Sequence, residues 1–197
     1  DLGTVMGNVY HTKEEMIDCV NAFYEGMVQR SEEMKRHPNY KTGENYAYLG
    51  LPPCFLIFDE YVAFFEMLGT KESVGLLSQL KKIVMLGRQA GYFLIVACQR
   101  PDAKYFSDGI RDNFNFRVGL GRISELGYGM LFGSDVKKQF FQKRIKGRGY
   151  CDVGTSVISE FYTPLVPKGH DFLQTIGRLA QERQVMPEQQ GKEDVIE

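Results

Sequence analysis

The chain has 197 residues, of which 43% are hydrophobic and 25% are charged, values typical of a folded globular domain. This composition excludes a largely disordered chain, a collagen-like repeat and a disulfide-rich miniprotein. The formal net charge of −1 provides no overall basic field, so any polyanionic partner must bind a local patch. The four cysteines are widely spaced and form no CxxC motif, which indicates reduced thiols rather than a zinc site. No apolar run approaches the roughly 18 residues that a membrane-spanning helix needs.

The first predicted element is a long amphipathic helix over residues 13–35. Thr12 and Glu15 form a capping-box pattern, and apolar side chains follow them at helical spacing. Residues 37–53 are rich in Pro, Asn, Gly and Tyr, which is typical of a loop. The short apolar run at 54–58 then predicts a strand that is buried on both faces, as in a parallel sheet.

A second helix is predicted over residues 71–90. Its inward-facing stripe includes Val74 and Leu80, and Gly91 supplies the glycine that commonly ends a helix. The wholly apolar segment 92–98 follows and predicts another buried strand. A strand, a helix and a strand at this spacing predict a right-handed βαβ unit.

The remaining predicted elements are shorter. A strand at 116–120 follows a short helix, and one or two helices come after it. Segments 148–153 and 156–162 predict a β-hairpin whose turn contains Gly154. From about residue 180 the chain is polar, which predicts a frayed helix or a disordered tail.

Two acidic residues, Asp59 and Glu60, directly follow the apolar run at 55–58. This arrangement matches the Walker B pattern of P-loop NTPases, in which a buried strand delivers two carboxylates to the edge of an α/β sheet where ligands bind. Asp59 would there hold Mg²⁺ through water, and Glu60 would orient or polarise the attacking water. The alternative is a buried strand that ends at a solvated acidic turn.

A second pattern joins residues 87–91 (Gly-Arg-Gln-Ala-Gly) to residues 97–101 (Ala-Cys-Gln-Arg-Pro). At the end of a strand beside the Walker B strand, Gln99 could hydrogen-bond water or the γ-phosphate and so sense the nucleotide state. The alternatives are a strand that simply turns at a proline, and an Arg88 that only complements the dipole of its helix.

The order of these segments resembles the motor domain of FtsK/SpoIIIE-type DNA translocases, in the FtsK–HerA group of P-loop ATPases. The series is an acidic pair, a Gly-Arg-x-Ala-Gly segment and a strand ending in Gln-Arg-Pro, followed by Asn113 and Arg117 at the family's spacing. The resemblance is good from about residue 50 to 122 and looser to about 175. It implies a RecA-like α/β core with a mostly parallel sheet flanked by helices, truncated at its N-terminus, and the sequence adds a C-terminal β-hairpin.

Two positions depart from the family's pattern. Cys98 stands before Gln99 where a threonine is usual, and Tyr61 follows the acidic pair where small or hydrophobic residues are common. Neither departure removes a residue on which the proposed chemistry depends.

The resemblance implies a role for five residues. Asp59 and Glu60 would be the Walker B pair, with Asp59 binding Mg²⁺ through water and contacting the ATP site. Arg88 matches the arginine-finger position, which completes the active site of the neighbouring subunit. Gln99 would be the sensor glutamine, and Arg100 either contacts phosphate or has a structural role. ATP and Mg²⁺ are therefore the expected cofactors of the parent protein.

The chain lacks a Walker A motif, because no GxxxxGK[ST] pattern occurs in it. Gly-Lys occurs only at residues 191–192, where Glu193 follows. We therefore expect residues 1–178 to be the C-terminal portion of a motor domain, with residues 179–197 as a polar, flexible tail. A chain without a P-loop is expected neither to bind ATP tightly nor to hydrolyse it.

A basic stretch lies at residues 137–148, with Phe140 and Phe141 between its cations. Such a stretch could contact a DNA backbone. The alternative, slightly favoured on sequence alone, is a solvated helix face over two buried aromatic rings. The candidate DNA-contact residues are Lys137, Lys138, Lys143, Arg144, Lys146 and Arg148.

The leading functional hypothesis is a fragment of an ATP-driven DNA translocase. As the resemblance implies, the parent would form a hexameric ring around DNA at the cytoplasmic face of the membrane, anchored by N-terminal helices outside this chain. The segment 166–172 resembles coupling proteins of conjugative elements, which would add other components of a transfer apparatus as partners. The alternatives are a protein-secretion ATPase of the type VII kind and a non-catalytic RecA-like binding module.

Overall fold

A computed structural model of the chain describes residues 2–100, 104–106, 108–133, 136, 145–155 and 157–185. The helices are α1 (Lys13–Arg36), α2 (Tyr61–Glu66), α3 (Thr70–Ala90), α4 (Asp108–Arg111), α5 (Glu125–Phe132) and α6 (Phe172–Val185). The strands are β1 (Cys54–Phe58), β2 (Tyr92–Val96), β3 (Arg117–Leu120), β4 (Arg148–Asp152) and β5 (Ile158–Tyr162). Short 3₁₀ turns lie at Leu2–Thr4 and Tyr46–Leu49.

Helix α1 begins at the predicted capping box. The hydroxyl of Thr12 accepts a hydrogen bond from the backbone N–H of Glu15, and the Glu15 carboxylate accepts one from the backbone N–H of Thr12 at 3.1 Å. The Thr12 hydroxyl also donates to this carboxylate, and these bonds lower the pKa of Glu15. The helix ends before His37, whose backbone is extended because Pro38 follows it.

The predicted βαβ unit is confirmed. Strands β1 and β2 pair in parallel, with Cys54 opposite Tyr92 and Phe58 opposite Val96, and α3 is the connection between them. Gly91 ends α3 in the left-handed conformation, with a φ of 76°. Strand β2 ends at Val96, two residues before the predicted end.

The core of this unit lies on one face of the parallel pair. Leu56 and Phe58 are buried together with residues of α1, α2 and α3, whereas Phe55, Ile57 and Ile95 are 55%, 68% and 47% exposed. The prediction that β1 is buried on both faces is therefore wrong for this chain. The side chains of α1, α2 and α3 in the buried cluster meet the face that carries Leu56 and Phe58, so the other face keeps an exposed apolar surface.

The inward stripe of α3 differs from the prediction. Val74 is 65% exposed, whereas Leu76, Leu80 and Ile83 are at most 4% exposed. These three residues recur at spacings of four and three, and Val74 lies two positions from Leu76, on the opposite side of the helix.

Strands β3, β4 and β5 form a separate antiparallel sheet. The predicted hairpin is present as β4 and β5, and its turn contains Gly154 with a φ of 85°. Strand β3 pairs with β4 rather than with the parallel pair. The strands approach closely at Gly149, where an added Cβ would lie 1.9 Å from the carbonyl oxygen of Gly119. This sheet has its own core, formed by Tyr128 and Phe132 of α5 with Tyr150 and Ile158.

Three further observations bear on the sequence predictions. Helix α6 continues to Val185, so the polar C-terminal segment starts within a helix, and residues 186–197 lie outside the described ones. None of the helices in the described ranges is long and apolar enough to cross a membrane. The thiols of Cys19, Cys54, Cys98 and Cys151 are free.

Candidate functional site

The acidic pair and the Gln-Arg pair lie at one edge of the parallel sheet. Asp59 and Glu60 directly follow β1, and Gln99 and Arg100 follow β2 after two intervening residues. The carboxyl ends of parallel strands meet at the same edge, which is where open α/β sheets bind ligands. The backbone N–H of Ala97 donates to the carbonyl of Phe58 at 2.8 Å and so extends the pairing beyond the strands. All four polar side chains are exposed there.

Glu60 has a strained backbone. Its φ of 56° and ψ of 53° place it in the left-handed region, and it is the only non-glycine residue with a positive φ among the described residues. This conformation costs a side-chain-bearing residue about 1–2 kcal/mol. It lies between β1 and α2, which begins at the next residue. Strain of this kind persists where surrounding contacts fix it, and it is frequent at functional sites.

The Glu60 and Gln99 side chains are in contact. The Gln99 amide Nε2 donates to Glu60 Oε1 at 3.2 Å. Cys98 lies beside them, half-buried, and burial together with the nearby Glu60 carboxylate raises the pKa of its thiol. The neutral thiol leaves Glu60 and Gln99 as the interacting polar pair at this edge.

The donor set at this edge fits Mg²⁺. Asp59 and Glu60 supply exposed carboxylate oxygens, which are the ligands that Mg²⁺ prefers. Within the described part of the chain, no group of three or more His, Cys, Asp or Glu residues could hold a metal ion. Two carboxylates are sufficient for Mg²⁺, because this ion keeps several of its waters and is completed by substrate phosphates.

Arg88 does not join this group. It is exposed in the last turn of α3, which leads through Gly91 into the first residue of β2. Strand β2 has five residues, so at 3.3 Å per residue Arg88 lies about 16 Å along the sheet from the Glu60 edge. In the part of the chain that the structure describes, its guanidinium makes no ion pair or side-chain hydrogen bond.

The small residues around Arg88 have a packing role. A Cβ added at Gly87 would lie 2.2 Å from the carbonyl oxygen of Tyr92, and one added at Gly91 would lie 2.6 Å from the ring of Tyr46. Ala90 is fully buried. Close packing therefore explains the small residues of the Gly-Arg-x-Ala-Gly segment, and it leaves Arg88 exposed at the surface.

Arg30 is a residue that the sequence prediction missed. From α1, its guanidinium donates to the carbonyl oxygens of Pro52 at 2.7 Å and Ala90 at 3.3 Å, and to the Cys54 sulfur at 3.4 Å. It also stacks over the Tyr92 ring, 4.8 Å from its centre. Arg30 thus joins α1 to the start of β1 and to the end of α3, near Arg88. The available signal was a cation among the apolar positions of an amphipathic helix.

The basic stretch is only partly within the described residues. Lys137, Lys138, Lys143 and Arg144 lie outside them. Lys146 is exposed before β4, and Arg148 stacks over the Tyr162 ring at 4.6 Å. The packing of Arg148 is explained without a ligand, and the DNA-contact role of the six residues stays a prediction.

One curated relative has high sequence identity to the chain. The FtsK domain-containing protein YdcQ of Bacillus subtilis (strain 168) is 57% identical over 168 residues, which are 85% of this chain and 35% of that protein. The chain therefore spans about a third of the length of this relative. No protein-family model matches the chain.

Solved structures share the fold at low sequence identity. The pCW3 conjugation coupling protein TcpA, solved with ATPγS, matches with a TM-score of 0.61 at 18% identity, over 83% of this chain and 49% of that one. The type VII secretion ATPase EccC of Thermomonospora curvata matches with a TM-score of 0.60 at 18% identity, over 87% and 21% of the two chains. EssC (ATPases 2 and 3) of Geobacillus thermodenitrificans gives 0.55 at 16% identity, over 86% and 31%.

These likenesses establish the predicted RecA-like α/β fold. The sequence has the order of motifs that resembles FtsK-type proteins, and β1 and β2 pair in parallel. Both observations agree with the 57% identity to the FtsK domain-containing protein YdcQ. The chain is therefore a homologue of part of an FtsK domain-containing protein.

Proposed function

We propose that the chain is the part of an ATP-driven motor that carries the residues for hydrolysis. The observation that supports this most directly is the contact between Glu60 and Gln99 beside Asp59, at the carboxyl edge of the parallel pair. Glu60 would polarise the attacking water, and Gln99 would orient it or report the γ-phosphate. Asp59 would hold Mg²⁺ through water, and the ion would supply charge stabilisation for the phosphates. Arg100, exposed at the same edge, is within reach of phosphate in this proposal.

Arg88 would act on the site of a neighbouring subunit. Its place at the opposite end of the strands from Glu60 supports this, because one chain cannot bring the two groups together. A ring in which each subunit presents its carboxyl edge to the Arg88 end of the next one would complete every site. We propose a homo-oligomeric ring on this basis, and the resemblance to FtsK/SpoIIIE-type motors implies six subunits.

The chain by itself is proposed to be inactive. It contains no Gly-Lys-Ser/Thr segment to bind the phosphates. The exposed apolar face with Phe55, Ile57 and Ile95 lacks the covering layer that parallel sheets normally have on both sides. The parent protein would supply both the phosphate-binding loop and the cover.

DNA is the proposed cargo. The identity to an FtsK domain-containing protein and the fold shared with a conjugation coupling protein support a DNA-transfer motor of a conjugative element. Such a motor would work at the cytoplasmic face of the membrane with other transfer components, and the basic stretch at 137–148 would contact DNA.

A protein-secretion ATPase is the second candidate, because EccC and EssC share the fold with similar TM-scores. A non-catalytic module is disfavoured by the retention of Glu60, Arg88 and Gln99.

The test is Glu60→Gln in the full-length protein, with Glu66→Gln on the exposed side of α2 as the matched control. Loss of a water-polarising carboxylate is expected to lower kcat for ATP by at least about 100-fold, with KM changed only a few-fold. Glu66→Gln is expected to leave both constants unchanged. Equal activity of the two variants would contradict the role of Glu60.

Stimulation of wild-type hydrolysis by double-stranded DNA would support the DNA motor, and stimulation only by a secreted protein would favour the second candidate.

A further inference from the structure

The left-handed turn at Glu60 needs neighbouring contacts that fix it. Its own side chain makes no capping hydrogen bond to α2. The next residue, Tyr61, is 1% exposed, and its backbone N–H donates to the carbonyl of Ala97 at 2.9 Å. The backbone directly after Glu60 is therefore bonded to the segment that leads to Gln99.

The side chain of Tyr61 contacts two residues that follow Gln99 in the chain. Its hydroxyl donates to the carbonyl oxygen of Tyr105 at 3.3 Å, and its ring lies 4.7 Å from that of Phe106. Burial raises the pKa of the Tyr61 hydroxyl, so this group stays protonated and remains a donor. Phe65, one turn further along α2, stacks on the Tyr105 ring at 5.4 Å. Tyr61 therefore contacts the chain on both sides of Gln99.

We propose that Tyr61 is a positioning residue, which fixes the Glu60 turn against Ala97 and Tyr105, on either side of Gln99, and thereby sets the contact between Glu60 and Gln99. Packing alone does not account for the hydroxyl. Phe64 and Phe65 on the same helix are equally buried without one, and a phenylalanine would fill the same space as Tyr61. The hydroxyl adds one directional bond to a backbone carbonyl beyond Gln99. The catalytic consequence of this positioning rests on the proposed function.

The test compares Tyr61→Phe with Tyr128→Phe in the full 197-residue chain. Tyr128 is 2% exposed in the separate core beside the antiparallel sheet, so the control removes a hydroxyl from an equally buried ring of a different core cluster. The readout is the side-chain amide signal of Gln99 in a ¹⁵N-labelled sample, assigned by its disappearance in Gln99→Ser. Tyr61→Phe is expected to shift this signal towards that of a glutamine amide without a carboxylate partner and to speed its proton exchange several-fold. Tyr128→Phe is expected to leave it unchanged.

A purely structural Tyr61 would give a different result. Both variants would then lower the melting temperature, and neither would move the Gln99 signal, which would overturn the proposal. In the full-length protein, Tyr61→Phe is expected to lower kcat for ATP about five-fold at constant KM. If Glu60→Gln leaves hydrolysis unchanged while the Gln99 signal still moves in Tyr61→Phe, the proposed function fails and the positioning role stands. If Glu60→Gln abolishes hydrolysis and Tyr61→Phe changes neither signal nor kcat, the positioning role fails alone.

Discussion

The two ends of the parallel β1–β2 pair differ in chemistry and in how they are held. The carboxyl end presents Asp59 and the strained Glu60 after β1 and Gln99 after β2, and the amino end presents Arg88 on a helix terminus fixed by Arg30. Acid and arginine of one proposed site thus lie about 16 Å apart along the same strands. In the proposed function these two ends are complementary half-sites, and their separation within one chain means that they would meet only between subunits.

The largest expected effect tests that separation. In the full-length protein, Arg88→Ala is expected to lower kcat for ATP at least about 100-fold. The reason is that no arginine then stabilises the charge that develops on the transferred phosphoryl group. Mixing this variant with Glu60→Gln before assembly is expected to restore about a quarter of wild-type activity, since a quarter of randomly formed interfaces pair an intact Glu60 with an intact Arg88. The measurement is steady-state ATP hydrolysis of the mixture.

The control for this experiment is Lys81→Ala, which removes an exposed cation from the same helix. It is expected to leave hydrolysis unchanged. A mixture as inactive as its two components would show that Arg88 does not act across an interface, and the comparison of the two ends would lose its functional meaning.

The next effect concerns the packing that holds the amino end. Gly87→Ala would place a Cβ 2.2 Å from the carbonyl oxygen of Tyr92. The resulting displacement of α3 from β2 is expected to lower the free energy of unfolding by about 2–3 kcal/mol, measured by urea denaturation. Gly75→Ala on the same helix meets no atom within 4 Å and is expected to stabilise the chain by up to about 1 kcal/mol. Equal effects of the two substitutions would contradict the close approach at Gly87.

The smallest expected effect tests whether the amino end of the parallel pair can be changed without affecting the carboxyl end. Arg30→Met removes the hydrogen bonds to the carbonyls of Pro52 and Ala90, and is expected to lower the free energy of unfolding by about 1–2 kcal/mol. The Gln99 side-chain amide signal is expected to stay unchanged, because Arg30 contacts only the amino end. Arg36→Met, at the exposed end of α1, is the control and is expected to change neither quantity. A shifted Gln99 signal in Arg30→Met would show that the two ends are coupled.

The order of elements could be predicted because local signals marked it. The capping box at Thr12 starts α1, Gly91 ends α3, and the short, uniformly apolar runs at 54–58 and 92–98 indicate strands. Parallel pairing then followed from the helical connection, and it brought Asp59, Glu60 and Gln99 to one edge.

The remaining features depend on contacts between distant residues. The left-handed backbone of Glu60 has no local signal, because a glutamate normally avoids that region and is held there by bonds from Tyr61. The pairing of β3 with β4 depends on the approach of Gly149 to Gly119 across a long stretch of chain. The exposed face of β1 was not predicted, because an apolar run does not reveal whether the residues that would cover each face of the strand belong to the same chain.

The strain at Glu60 has a consequence for protein engineering. Glycine adopts a φ of 56° without steric cost, so Glu60→Gly relieves the turn while removing the carboxylate. A library selected for thermal stability alone would therefore enrich glycine at this position and would lose the carboxylate proposed to polarise water at the same step. Stabilised variants for structural work are better sought at Gly75, where an added Cβ meets no other atom and does not compete with the proposed site.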